Sequence, residues 1–220
     1  MEVHVNAAMS ADGKLSTRER EQIEISGSED FARVDRIRAD SDAVLVGVGT
    51  VLADDPSLTV EDDELIEERA ARGDPPQPAR VVADSRVRTP EDARVLDDAA
   101  ETYLLVSEAA PVDFVAEMEV AGATVIQAGE DRVDLDAAFA DLESHGIERL
   151  MIEGGGELIY SAFAAELVDE LTVFVGPQII GGRDAPTLAD GDGFVESFPS
   201  LSLDGIERID DGVLLRWTPQ

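Results

Sequence analysis

The run Arg149-Leu150-Met151-Ile152-Glu153-Gly154-Gly155-Gly156-Glu157-Leu158 decides the fold. Its first four residues read as a short apolar strand and a helical pattern follows over 157–166, so the three glycines sit in a strand-to-helix turn. Glycine there lets a ligand approach the backbone closely, and the amides at the positive end of a helix favour an anion, which makes the turn a candidate pyrophosphate cradle. The same residues also suit a plain βα turn. They are not G-x-G-x-x-G, and the first βα turn lacks that fingerprint as well, which argues against a standard Rossmann domain.

Outward from this turn, the chain alternates strands and helices. Strands are expected at Glu2–Ala8, Ala43–Val48, Arg80–Ala83, Thr102–Val106 and Thr124–Gln127, and helices from Glu29, around 112–121 and over 134–145. Asp30 is placed to cap or charge the first of those helices. Strands separated by helices imply parallel neighbours, because parallel pairing needs a crossover. After 166 the pattern changes: Glu170–Val175, Leu201–Arg208 and Val213–Trp217 have no helix between them and predict an antiparallel edge. The expected fold is therefore α/β, a mostly parallel sheet flanked by helices, in one domain spanning residues 1–220. The acidic, proline-bearing stretch 61–79 reads as a surface excursion of helix and loop without a function of its own.

Seventeen Lys and Arg against 49 Asp and Glu leave a net charge of −32. Self-repulsion at that density is relieved by screening, so a salt-rich cytoplasm, such as that of a halophilic archaeon, is the expected setting. Nucleic acid and anionic lipid are disfavoured as partners. No apolar run is long enough for a membrane helix and no secretory signal pattern is visible, so a cytoplasmic location is expected. With no cysteine and only His4 and His145, no His/Cys zinc site can be assembled, which leaves an all-carboxylate Mg²⁺ site as the metal alternative.

Against this acidity three short segments each carry +2: residues 13–20 with Lys14, Arg18 and Arg20, residues 33–38 with Arg33, Arg36 and Arg38, and residues 80–88 with Arg80, Arg86 and Arg88. They are candidate sites for a multiply phosphorylated ligand; each could equally pair internally with neighbouring carboxylates. Lys14, the only lysine, lies beside Gly13 in a tight loop and is either a chemical group or a surviving surface charge. Gly47-Val48-Gly49-Thr50 reads as a glycine turn leading into Asp54-Asp55-Pro56, which is either a binding loop or a simple turn. Asp84-Ser85-Arg86 puts a hydroxyl and a guanidinium at a strand end, an arrangement that suits a 2′-phosphate.

Five motifs in order, Ser10-Ala11-Asp12-Gly13-Lys14-Leu15, Val46 through Thr59, Asp84-Ser85-Arg86, Glu153-Gly154-Gly155-Gly156 and Gly181-Gly182-Arg183-Asp184-Ala185-Pro186-Thr187, resemble the reductases of riboflavin biosynthesis, which have a dihydrofolate-reductase-like fold. The resemblance spans about residues 3–217. It implies NADPH-dependent reduction of a ribosylaminopyrimidine 5′-phosphate to its ribitylamino form, with hydride delivered to C1 of the opened sugar imine. It implies Lys14 and Glu153 as catalytic candidates, with Arg38, Leu58 and Asp30 facing substrate. Thr50, Asp54, Asp84, Ser85, Arg86, Gly129, Gly154, Gly155, Gly156 and Glu157 would hold the cofactor, and no metal is implied. The deaminase ligands H-x-E and C-x-x-C found fused to bacterial members are missing, which points to the stand-alone archaeal and fungal type acting on the diaminopyrimidinone. An arginine expected after Leu58-Thr59 is Glu61 here, leaving Arg38 or the 13–20 segment for the substrate phosphate. A homodimer is implied, with the Leu171–Val175 strand as a suitable exposed edge. The competing readings are reduction of the deaminated uracil analogue, a dihydrofolate reductase, and a nucleotide-binding regulator without turnover.

Overall fold

A computed structural model describes residues 1–220. The chain packs as two compact units, one of Met1 and Asp35–Met151, the other of Glu2–Val34 and Ile152–Gln220.

The first unit holds strands β2 (Ala43–Gly47), β3 (Ala79–Ala83), β4 (Thr102–Val106), β5 (Thr124–Gln127) and the start of β6 (Arg149–Gly154), in the order β5-β4-β3-β2-β6. From β2 to β5 every pairing is parallel. Helices α2 (Val48–Asp54) and α3 (Asp63–Arg72) connect β2 to β3, α4 (Val112–Val120) connects β4 to β5 and α5 (Leu135–Ser144) connects β5 to β6, while β3 and β4 are joined by a loop with one 3-10 turn at Arg94–Leu96. Val44, Val46, Val82, Leu104 and Val106 form the core with Val48 and Val51 of α2 and Met118 of α4. Each such side chain contributes about 1.5–3 kcal/mol on burial. The pairing aligns the C-terminal ends of the strands, with Gly47 beside Ala83 and Ala83 beside Leu105.

The second unit holds β1 (Glu2–Met9), β7 (Glu170–Val175), β8 (Leu201–Ile209) and β9 (Gly212–Pro219). β1 and β7 run parallel, whereas β7–β9 and β9–β8 are antiparallel. It also contains helix α6 (Gly156–Ala164) and the start of α1 (Ser28–Asp40). Phe174, Leu214 and Ile25 are its small apolar cluster. The expected class, a mostly parallel sheet with antiparallel C-terminal strands, is met.

Several local expectations are corrected. The glycine turn expected at 47–50 is the first turn of α2: Gly47 is extended (φ −77°, ψ 150°) and helix begins at Val48, because Val48 and Val51, one turn apart, both bury in the core. The strand Leu171–Val175 is not an edge, since β7 lies between β1 and β9; the outer strand is β8. The stretch 61–79 is the expected helix and loop, with α3 over Asp63–Arg72, but it is anchored to the rest of its unit. Arg69 of α3 is buried and donates to the carbonyls of Ala39, Ser41 and Pro75, tying the segment down. Asp30 does lie in the first turn of α1, but the carboxylate that accepts the Glu29 and Asp30 amides belongs to Asp210, at the β8–β9 turn.

Candidate functional site

In the first unit the site is assembled at the C-terminal ends of the parallel strands, where open α/β sheets place their ligands. Asp84 follows β3 directly and is fully buried, and its carboxylate accepts the amides of Arg88 (2.5 Å) and Thr89 (2.7 Å) and the Thr89 hydroxyl (2.8 Å). It is thereby the pin of the turn that follows. Ser85, next in line, takes the Ser107 hydroxyl on its carbonyl (2.8 Å) and the Val133 amide on its Oγ (3.0 Å), which leaves its own hydroxyl hydrogen to donate.

Beyond β5, Gly129 has φ 85°, and a Cβ there would lie 2.3 Å from the Arg132 carbonyl oxygen, so the tight 129–134 loop accepts only glycine. Its carbonyl accepts the Glu108 amide (2.8 Å). Ser85, Ser107 and Gly129 are thus laced into one rim, with the exposed Arg86 guanidinium reaching the Ala109 carbonyl (3.2 Å) and Asp131 (3.5 Å).

Thr50 and Asp54 lie on α2, which starts directly from the end of β2. Burial pushes the Asp54 carboxyl above the usual carboxylate range. Asp55 closes the helix in the left-handed region (φ 41°), and its carboxylate accepts the Arg94 amide (2.8 Å). Leu58 is buried at φ 54°, a conformation that strains a bulky side chain. Arg38 donates to the Thr59 carbonyl (3.0 Å) in the same loop, while buried Asp35 accepts the amides of Glu61 and Asp62. A carboxylate and an arginine therefore shape the segment where an arginine was expected and Glu61 stands.

In the second unit, Glu153 and Gly154 end β6, Gly155 is the cap position of α6 with φ 92° and no side-chain cap, and Glu157 lies in the first turn. The loop 10–15 is held by Ser10: its amide donates to the Lys14 carbonyl and its Oγ accepts the Lys14 amide (both 2.9 Å). The Lys14 ammonium donates to the Ala185 carbonyl (3.0 Å). Asp12 accepts from the Ser10 hydroxyl (2.6 Å) and from the amides of Ile180 (3.0 Å) and Gly181 (2.7 Å), and these bonds, the Ser10 one foremost, hold its carboxyl down at about 2. Asp30 is buried against Arg33 (2.7 Å), which also donates to Asn6 Oδ1 (2.8 Å). Asn6 is joined through Thr172 (2.9 Å) to His4 (2.8 Å).

The cationic segments are mostly committed inside the fold. Arg80 is fully buried and bonds Thr102, Asp97 and the carbonyls of Arg94, Asp97 and Ala100, so it is no part of an anion site. Arg33 pairs with Asp30 and Arg36 with Glu68. Arg86, Arg38 and Lys14 reach candidate ligand loops, and Arg88 lies 3.7 Å from the Asp84 carboxylate. Two residues without an assigned role from sequence organise these loops, Asp12 and Asp190. Asp12 stood inside the quoted Lys14 motif, but Asp190 follows the last motif and carries no local signal.

Each unit separately offers donors suited to an anion: in the second, α6 opens after Gly155 with no side-chain cap, and in the first, Ser85 and Arg86 offer donors at a strand end. No cluster of His, Cys, Asp and Glu suited to a metal ion is present, and no helix is long and apolar enough to cross a membrane.

Comparison with known proteins places the chain in a family. Residues 1–215 match the model of the RibD C-terminal domain. The chain is 50% identical over 210 residues to the 2,5-diamino-6-ribosylamino-4(3H)-pyrimidinone 5′-phosphate reductase of Archaeoglobus fulgidus, covering 96% of this chain and 94% of that protein. It is 49% identical over 202 residues to the protein of the same name in Methanothermobacter thermautotrophicus, covering 92% and 89%. Among solved structures, a pyrimidine reductase-like protein of Corynebacterium diphtheriae superposes with TM-score 0.86 at 18% identity, covering 100% of this chain and 92% of the other. A dihydrofolate reductase of Enterococcus faecalis superposes with TM-score 0.51 at 12% identity, covering 99% and 96%, and so shares the fold. A match that runs nearly the length of the chain, over strand ends and loops built as described, makes this protein a member of the RibD C-terminal domain family.

Proposed function

We propose that the chain reduces 2,5-diamino-6-ribosylamino-4(3H)-pyrimidinone 5′-phosphate to its ribitylamino form with NADPH, a step of riboflavin biosynthesis. The observation that carries this reading is the near-complete, half-identical match to two reductases of that name. In the reaction the sugar ring opens, C1 becomes an imine carbon, a hydride adds to C1, and one proton is taken up from solvent or a side chain. Bound NADPH supplies that hydride.

The residues divide the work. Ser85 and Arg86 present donors for the 2′-phosphate, on a rim that Asp84 and Gly129 keep in shape. Thr50 and Asp54 would also hold the cofactor, and the bend from Gly154 to Glu157 its pyrophosphate. Arg38, Leu58, Asp30 and Glu153 would face the substrate, Arg38 being bonded to the Leu58-Thr59 loop at the Thr59 carbonyl. Lys14, held by Ala185, would orient the ribose hydroxyls or deliver the proton. NADPH is preferred over NADH because a guanidinium beside a hydroxyl is worth most against a phosphate.

The remaining parts of the reading are a homodimer, a salt-rich cytoplasm to which the −32 charge is matched, and no nucleic-acid or membrane partner. The test is to mix pure protein in high salt with NADPH and, separately, the diaminopyrimidinone phosphate, its deaminated uracil analogue and dihydrofolate, following nicotinamide absorbance. Turnover is expected with the first compound at the highest kcat/KM. Turnover with dihydrofolate alone, or binding of NADPH without turnover, would overturn the proposal.

A further inference from the structure

The stretch from Gln178 to Asp190 contains the Gly181–Thr187 motif, yet none of its side chains has a role in the proposed reaction. Its backbone runs beside the Lys14 loop at every step. Gln178 accepts the Ala11 amide (2.9 Å), Ile180 and Gly181 donate to Asp12, Ala185 accepts the Lys14 ammonium (3.0 Å), and Pro186 accepts the Leu15 amide (2.9 Å). Thr187 then forms an antiparallel bridge with Lys14 itself.

The other end of the stretch reaches the glycine bend. The Asp190 amide donates to the Gly156 carbonyl (3.0 Å). A Cβ on Gly156 would lie 2.5 Å from the Thr187 carbonyl oxygen and 2.6 Å from Asp190 Oδ2, so the two backbones touch and glycine is required there. Asp190 closes the contact: its carboxylate accepts the Thr187 amide (3.2 Å) and the Thr187 hydroxyl (2.5 Å). One residue, Thr187, therefore abuts both Lys14 and Gly156, and one carboxylate fixes it.

From this juxtaposition we infer that residues 178–190 are a strap that sets Lys14 in register with the bend at Gly156, and that Asp190 is its positioning residue. The inference rests on the proposed roles of Lys14 and the Gly154–Gly156 bend. Asp190 acts through Thr187 and touches no reacting atom. Its two bonds hold the Thr187 backbone, the Thr187 bridge holds Lys14, and a displacement of order 1 Å at such a site costs up to ~100-fold in rate.

The experiment is a double-mutant cycle on the whole chain, read as single-turnover hydride transfer at saturating NADPH, with the cofactor Kd measured alongside. Asp190→Ala is expected to lower the rate by about 10- to 100-fold, and to weaken NADPH binding, in the wild-type background. In the Lys14→Gln background the same change is expected to add less than about twofold, because a positioning effect vanishes with the group it positions. Asp190→Asn, which keeps an acceptor oxygen for the Thr187 amide, is expected to recover most of the lost rate. Thr187→Val removes one bond of the pair and serves if Asp190→Ala does not fold. An equal fractional loss in both backgrounds would show a general structural role and overturn the inference. Wild-type turnover by Lys14→Gln would instead overturn the role of Lys14, and the strap's purpose with it.

Discussion

Acidification tests the polar chain inside the second unit. His4 sits mostly buried on β1, bonded to Thr172, and burial first, then the Arg33 guanidinium, bring its imidazole down from 6.5 to about 4, against an opposing pull from Glu2. The unfolded imidazole takes up a proton below about 6.5, the folded one only near 4. The unfolded state therefore binds the extra proton first, and the contribution is whole above 6.5, drains as pH falls towards 4, and levels below it. At about 1.4 kcal/mol per pH unit the gap is worth at most ~3 kcal/mol.

His4→Gln keeps a polar partner for Thr172 without the titration. Urea unfolding in constant high salt should show wild type losing ~3 kcal/mol relative to His4→Gln between pH 7 and 4. Because the chain has only two histidines, NMR titration of their ring protons reads the same quantity directly, and Arg33→Gln should raise the His4 value. Parallel stability curves for wild type and His4→Gln, with His4 titrating near 6.5, would refute the reasoning.

Other outcomes follow from single contacts. Arg80→Met should cost about 3 kcal/mol, because it strands three carbonyls and the Asp97 carboxylate, and a urea midpoint unchanged from wild type would contradict the buried network described for it. Asp84→Asn turns an amide NH2 towards donors, so it should lower Tm and raise the NADPH Kd while leaving the single-turnover rate at saturating cofactor near wild type. Lys14→Gln should cut turnover by orders of magnitude with far-UV circular dichroism unchanged, and full turnover would return it to a surface charge.

Much of the fold was legible because apolar residues alternate or recur with the right period. Thr102–Val106, Thr124–Gln127 and Glu170–Val175 were read at their observed bounds. The failures share a cause, since tertiary contact decided them. Glycines 47 and 49 signalled a turn, but the burial of Val48 and Val51 made a helix. β7 looked like an edge because nothing local reveals that β9 returns to pair with it. Counting charge by segment could not show that Arg80 is buried among carbonyls whose owners lie 14 to 20 residues away. Asp210 capping α1 from a distance of 180 residues, and Asp190 fixing Thr187 against Gly156, were equally invisible. The ordered motifs, by contrast, fall on short loops next to strand ends that the pattern already located.

The most direct test of the proposed reduction is one turnover with NADPH carrying deuterium at nicotinamide C4, on the transferred face, followed by NMR of the pyrimidine product. The account predicts one deuterium on C1 of the ribityl chain and none elsewhere. Deuterium at C2 of that chain, or a product without label while the cofactor is consumed, would contradict it.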